Sequence, residues 1–150
     1  MKNDRRFIVL KYRFGKDHIM ETLLNGVVGI PAYKKGNRAG PSGKTGFERA
    51  TSEKPLYYIL YDVTTKMIRG VGSSLGTAFF TDDTEAFQPD NEVPQENWGH
   101  RIHGMTMIND KRAITRDAFK ELGGKLGQGA AAYVTEEVWL QVKNHMIATG

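Results

Sequence analysis

The sequence has no cysteine, which excludes a disulfide framework, a thiolate metal centre and a cysteine nucleophile, and suits a reducing, cytoplasmic setting. Proline is scarce, with five in 150 residues, and no apolar run approaches the roughly 20 residues that a membrane helix needs. The opening Met1-Lys2-Asn3-Asp4-Arg5-Arg6 is charged and leads into an apolar stretch that breaks at Lys11, which fits neither a signal peptide nor a membrane span. No internal repeat, low-complexity tract or dividing linker is present. Nor does charge of one sign dominate: 21 Lys and Arg face 17 Asp and Glu, a net charge of +4. That balance permits a polyanionic partner without requiring one. With 39% hydrophobic and 25% charged residues, the expectation is one soluble globular domain over residues 1–150.

What is there alternates between patterned and unpatterned stretches. Phe7 to Leu10 is a continuous apolar run that suits a buried first strand. Asp17 to Leu24 sets Ile19, Met20, Leu23 and Leu24 at helical spacing, and Asn25-Gly26 ends that helix. From Gly29 to Thr51 periodicity vanishes, and Gly36, Gly40, Gly43 and Gly46 interleave with Lys34, Lys35, Arg38 and Lys44, which predicts a long mobile loop. Leu56 to Val63 and Met67 to Leu75 form a predicted hairpin through Asp62-Val63-Thr64-Thr65-Lys66. Thr81 to Asn97 reads as a second, acidic loop, and strand character returns from Trp98 to Ile108. Thr115 and Thr135 are predicted N-caps for helices over Arg116 to Leu122 and Glu136 to Ile147, the first closed by Gly123-Gly124. This order predicts an α+β chain, a mixed sheet curled into a barrel with helices at its ends.

Several motifs mimic chemistry they do not support. Gly40-Pro41-Ser42-Gly43-Lys44-Thr45 resembles a phosphate-binding P-loop, yet Arg38 holds the position of the first glycine and no apolar strand precedes it. His100 and His103 suggest a metal pair, but residues three apart on a strand face opposite sides. Asp82, Asp83 and Glu85 form an acidic cluster suited to Mg²⁺-dependent phosphodiester cleavage, without the strand-borne acid and nearby lysine of a nuclease core. Ser73-Ser74 and Asp17-His18 lack the orienting partners that acyl transfer requires. The expectation is a protein that is no enzyme and needs no metal or cofactor. Trp139, at helical spacing with Val138, Val142 and Met146, is predicted core; Tyr57, Tyr58 and Tyr61 are predicted sheet packing.

Arg6-Phe7-Ile8-Val9-Leu10-Lys11, Asn25-Gly26-Val27-Val28 and Pro55-Leu56-Tyr57-Tyr58-Ile59-Leu60-Tyr61 resemble, in that order, the opening half of a YTH domain, a PUA-like fold. Gly36-Asn37-Arg38, Phe47-Glu48-Arg49-Ala50, Gly70-Val71-Gly72, Trp98-Gly99-His100-Arg101-Ile102 and Asn109 to Asp117 extend the likeness through most of the chain. The tryptophan, the short helix and the last helix are also similar to EVE domains. The resemblance implies a reader of modified DNA or RNA that flips a base into an aromatic pocket. N6-methyladenine is favoured, and a 5-methylcytosine-type base is the second choice. A place as recognition module of a longer restriction or RNA-regulatory protein, with a fused or associated effector, is implied with it.

By the same resemblance, the pocket comprises Trp98, Tyr33, Asp17, Tyr12, Val28 and Val93, with Phe79 and Phe80 as further aromatics beside it. Lys11, Lys34, Lys35, Arg38, Arg112 and Arg116 are the implied contacts to the nucleic-acid backbone. Two positions depart from the pattern. Val28 stands where the family has a tryptophan, and Val93 where another aromatic is common; Trp98 alone is aromatic in register. The competing expectation is therefore a PUA-like structural or protein-interaction domain that has lost base recognition.

Overall fold

A computed structural model of the protein describes residues 6–12, 27–30, 56–74, 79–80, 100–126 and 131–147. Its centre is a pair of parallel strands, β1 (Phe7–Tyr12) and β3 (Leu56–Asp62), in register from Phe7 opposite Tyr57 to Tyr12 opposite Asp62. Both strands are buried on both faces, which explains why they read as continuous apolar runs rather than as alternating patterns. β4 (Met67–Ser74) folds back antiparallel on β3, as the predicted hairpin requires.

The outer edge of β4 takes two strands, β7 (Met105–Ile108) and β8 (Ile114–Thr115), while β9 (Ala131–Tyr133) pairs antiparallel with β1. The large sheet thus has six strands, ordered β7-β4-β3-β1-β9 with β8 also on β4. A second sheet of three strands, ordered β2-β6-β5, is built from β2 (Val27–Ile30), β5 (Phe79–Phe80) and β6 (His100–His103). The expected mixed sheet flanked by helices is present. Two expectations need correction. Trp98 to Ile108 is not one strand, because the chain changes sheets at Gly104 between β6 and β7. Gly29 and Ile30, assigned to the long loop, belong to β2. The predicted helix over Asp17 to Leu24 and the rest of both loops lie outside the described residues.

Two helices cover one face of the large sheet, α1 (Arg116–Glu121) and α2 (Glu136–Ile147). Both start where their caps predict. The Thr115 hydroxyl accepts from the Ala118 N–H at 3.1 Å, and the Thr135 hydroxyl accepts from the Val138 N–H at 3.2 Å. α1 ends in a Schellman turn: Gly124 N–H donates to Phe119 O and Gly123 N–H to Lys120 O, both at 3.0 Å. That turn requires φ of +96° at Gly123, a left-handed value that glycine adopts without steric penalty.

Phe7, Val9, Ile59, Tyr61, Ile68 and Val71 meet Phe119 of α1 and Val138, Trp139, Val142 and Met146 of α2 in one buried cluster. Ile68 and Val71 are three apart, so strict alternation would put them on opposite faces. A bulge reconciles them: Leu60 pairs with Gly70 but Tyr61 pairs with Ile68, so Arg69 is the extra residue of β4. Trp139 is core as predicted, packed 4.7 Å from the Tyr57 ring and donating its indole N–H to the Tyr58 carbonyl at 3.1 Å. Tyr57 in turn stacks on Phe7 at 4.9 Å.

On the opposite face Ile8, Leu10, Tyr12, Leu56, Tyr58 and Leu60 are also fully buried. Here the Tyr58 ring lies against two glycines. A Cβ on Gly104 would stand 2.5 Å from the Tyr58 hydroxyl, and one on Gly72 would overlap the same ring. Either Gly72→Ala or Gly104→Ala is expected to destabilise the fold by about 1–3 kcal/mol, the usual penalty of overpacking. Urea unfolding checks this, and an unchanged midpoint for both would contradict the close approach.

Candidate nucleic-acid interface

The small sheet is where the described backbone brings expected pocket residues together. β6 lies between β2 and β5, with Val28 opposite Ile102 on one side and Phe79 opposite Arg101 on the other. Phe80 pairs with His100, the first residue of β6, two positions after Trp98 in sequence. Val28, Phe79 and Phe80 therefore flank a strand that begins beside the expected tryptophan. Trp98 itself, with Tyr33, Asp17, Val93, Lys34, Lys35 and Arg38, lies outside the described residues, as do the P-loop-like segment and the acidic cluster. Tyr12 is the last residue of β1 and is only 1% exposed. Both His100 and His103 are on β6. Among the described residues no three His, Cys, Asp or Glu side chains converge on a metal position, and no helix is long and apolar enough to cross a membrane.

Tyr58 anchors the joint between the two sheets. Its hydroxyl shares a 2.7 Å hydrogen bond with Thr106 Oγ1 and donates to the Met105 carbonyl at 3.2 Å, both just after the crossing at Gly104. Burial pushes its phenol up to about 12, against an opposing pull from the Thr106 hydrogen bond. The ring is thereby held neutral, as a spacer of fixed height beneath the start of β7.

The expected backbone contacts fare differently from one another. Lys11 is half-buried beside Tyr61 in the sheet, and burial lowers the pKa of its ammonium. Arg112 performs a structural task the sequence does not announce: its Nε donates to the His145 carbonyl at 2.6 Å, while Asn109 Nδ2 donates to the Met146 carbonyl at 2.7 Å. Together they satisfy carbonyls in the last turn of α2, groups that a helix leaves without internal partners. Sequence separations of 33 and 37 residues hide that pairing. Arg116 is half-exposed at the start of α1, where its charge opposes the burial-driven rise of the Tyr61 phenol.

Arg69, placed by the bulge, was missed altogether by sequence reasoning. It donates to Asp110 through two nitrogens, at 2.7 and 2.9 Å, and to Asp62 at 3.3 Å. Hydrogen bonding from Arg69 holds the Asp110 carboxyl below its usual range. The cluster ties the hairpin to the turn before β8.

No family model matches the sequence, and no curated protein does either. Solved structures do match. The YTH domain of Pho92 in complex with m6A superposes with a TM-score of 0.66 at 14% identity, covering 100% of this chain and 88% of that one. The YTH domain of Zygosaccharomyces rouxii MRB1 protein, in complex with N6-methyladenosine RNA, gives 0.60 at 11% identity, over 96% and 88% of the two chains. A Pseudomonas syringae protein gives 0.58 at 12% identity, over 94% and 99%. At these identities the likeness defines architecture: the chain has a YTH-like α+β fold.

The buried phenol has a consequence at high pH. Unfolded tyrosine ionises near 10 and folded Tyr58 near 12, so between these values the folded state keeps a proton that the unfolded state has lost. The stability contributed by the neutral phenol is complete below pH 10 and is lost as pH rises through 12. Two pKa units correspond to about 3 kcal/mol at most. Phenolate absorbance of the protein minus that of Tyr58→Phe isolates this group; titration near 10 would contradict the buried placement.

Proposed function

We propose that this chain is a non-enzymatic reader of a modified base in nucleic acid, N6-methyladenine in first place, working as a single recognition domain. The observation that carries the reading is the likeness in fold, along the whole chain, to YTH domains solved with m6A and with N6-methyladenosine RNA. The small sheet supports it at the level of the backbone, since β2, with Val28, and β5, with Phe79 and Phe80, lie on either side of β6. In this proposal Trp98 and Tyr33 stack on the flipped base, Asp17 reads its polar edge, and Val28 and Val93 line the pocket with apolar surface. Tyr12, buried at the end of β1, backs them. A base stacked on an aromatic side chain gains about 1–3 kcal/mol, which offsets part of its unstacking from the strand. The methyl group adds apolar burial alone, so hydrogen-bonding groups at the base edge carry most of the discrimination.

Lys11, Lys34, Lys35, Arg38, Arg112 and Arg116 are assigned to the backbone of the strand, where contacts position without reading sequence. The guanidinium of Arg112 can serve there while keeping its bond to α2, since one nitrogen suffices for the carbonyl and the others remain as donors. The proposal further takes the domain as the targeting part of a larger protein or assembly.

The deciding measurement is titration with RNA and DNA strands that differ at one base, N6-methyladenine against adenine, and 5-methylcytosine against cytosine. Tighter binding of a modified strand is expected. Equal affinity for every pair would end the reader proposal and leave a structural or interaction domain, the reading that Val28 and Val93 favour.

Trp98→Ala is expected to keep its melting temperature and to lose about 1–3 kcal/mol of binding, mainly to the modified strand. A variant that melts many degrees lower, while its folded fraction binds normally, would assign Trp98 to the core and the pocket to other residues.

A further inference from the structure

Several described cations are held by the fold. Arg69 is taken up by Asp62 and Asp110, Arg112 by the end of α2, and Lys143 lies over the Trp139 ring. Lys66, Arg116 and Lys120 differ: among the described residues their side chains make no hydrogen bond or ion pair, and they lie together. Met67 pairs with Thr115 across the sheet, and the Arg116 N–H donates to the Lys66 carbonyl at 3.0 Å, so the two backbones touch. Lys120 follows Arg116 by one helical turn and shares its side of α1. Lys66 and Lys120 are exposed and Arg116 half-exposed.

Among the described residues, these three cations stand against two exposed carboxylates, Asp117 and Glu121. Asp62 is buried and occupied by Arg69, the Thr64 N–H and the Thr65 hydroxyl. Asp117 and Glu121 share the neighbouring side of α1, and Glu121 lines the groove toward Gln141 of α2.

A second observation singles out Lys66. At φ of 59° it is the non-glycine residue with positive φ among those described. Glycine or asparagine suits that left-handed position better, because a larger side chain crowds its own carbonyl there. The hairpin thus carries a long cation at the one position where a smaller residue would relax it.

We propose that Lys66, Arg116 and Lys120 form a phosphodiester-binding corner that grips the strand at a distance from the base being read. The corner sits at the hairpin end of β4, whereas the small sheet joins at its other end, beyond Ser73. The strand therefore meets it through phosphates several nucleotides from the pocket. Each cation displaces condensed counterions, so the contact is sensitive to salt and indifferent to base identity. The assignment of the anion as nucleic acid rests on the reader proposal.

The test compares Lys66→Gly, Lys66→Arg and Lys120→Ala by thermal melting and by titration across a salt series. The probes are a long single strand and a short strand holding only the modified base and its immediate neighbours. Lys66→Gly is expected to melt at the same or a higher temperature. It should bind the long strand several-fold more weakly, modified and unmodified alike, with a salt slope shallower by about 0.7. The short strand should be bound unchanged, and Lys66→Arg should bind like the parent. Unchanged long-strand affinity and slope in both Lys66→Gly and Lys120→Ala would overturn the corner, even with modified-base preference intact. A lower melting temperature for Lys66→Gly would overturn the strain argument. If the parent shows no preference for a modified base but the same variants weaken long-strand binding, the corner stands and the reader proposal falls.

Discussion

The structure depends on how Tyr58 is packed. One residue of the central strand reaches in two directions: its carbonyl accepts the Trp139 indole from α2, and its ring crosses the other face to lie on Gly72 and Gly104. Its hydroxyl then bonds the chain at Thr106 and Met105, immediately after the change of sheets. Helix layer, central sheet and small sheet are all referred to this one side chain and its peptide. The glycines follow from it, since only residues without Cβ admit the ring so close to the backbone. A buried hydroxyl that lost its partners would retain the full penalty of desolvation, so the arrangement tolerates little sliding.

The bulge in β4 is the second constraint, and it acts on electrostatics as well as packing. It turns both Ile68 and Val71 into the core and leaves Arg69 to join Asp62 and Asp110. The pair with exposed Asp110 contributes little to stability by itself, and the pair with buried Asp62 satisfies a carboxylate that burial would otherwise penalise. Their effect here is geometric, because they hold the hairpin against the turn that caps α2 and leads into α1. Arg112 and Asn109 complete that junction. A rigid core of this kind suits function carried at the sheet margins and loops, where side chains are released from packing.

A fold can be shared at 11–14% identity because folding constrains patterns more than particular residues, and in this chain the pattern is two buried parallel strands, a folded-back third and a helix face to cover them. Such a scaffold can be kept while the residues around a pocket change. Fold and function are separable for that reason. Strand pairing brings Val28, Phe79 and Phe80 to one small sheet.

Much of the scaffold was legible in the sequence. β1, β3, β4 and both described helices could be read because each carries its own local signal, apolar runs of strand length, a turn of polar residues, threonine caps and a closing glycine pair. β5, β8 and β9 could not, since strands of two or three residues exist only through the neighbours that pair with them. The site divides in the same way. Which residue types could hold a base or a phosphate was readable from the chain. That Arg112 is bound to α2, that Lys66 meets Arg116, that Arg69 sits in a bulge and that β2 and β5 lie on either side of β6 were decided by long-range pairing. Local sequence determines what a segment prefers to be, whereas which segments meet depends on burying all their apolar faces at once, and only the tertiary structure solves that problem.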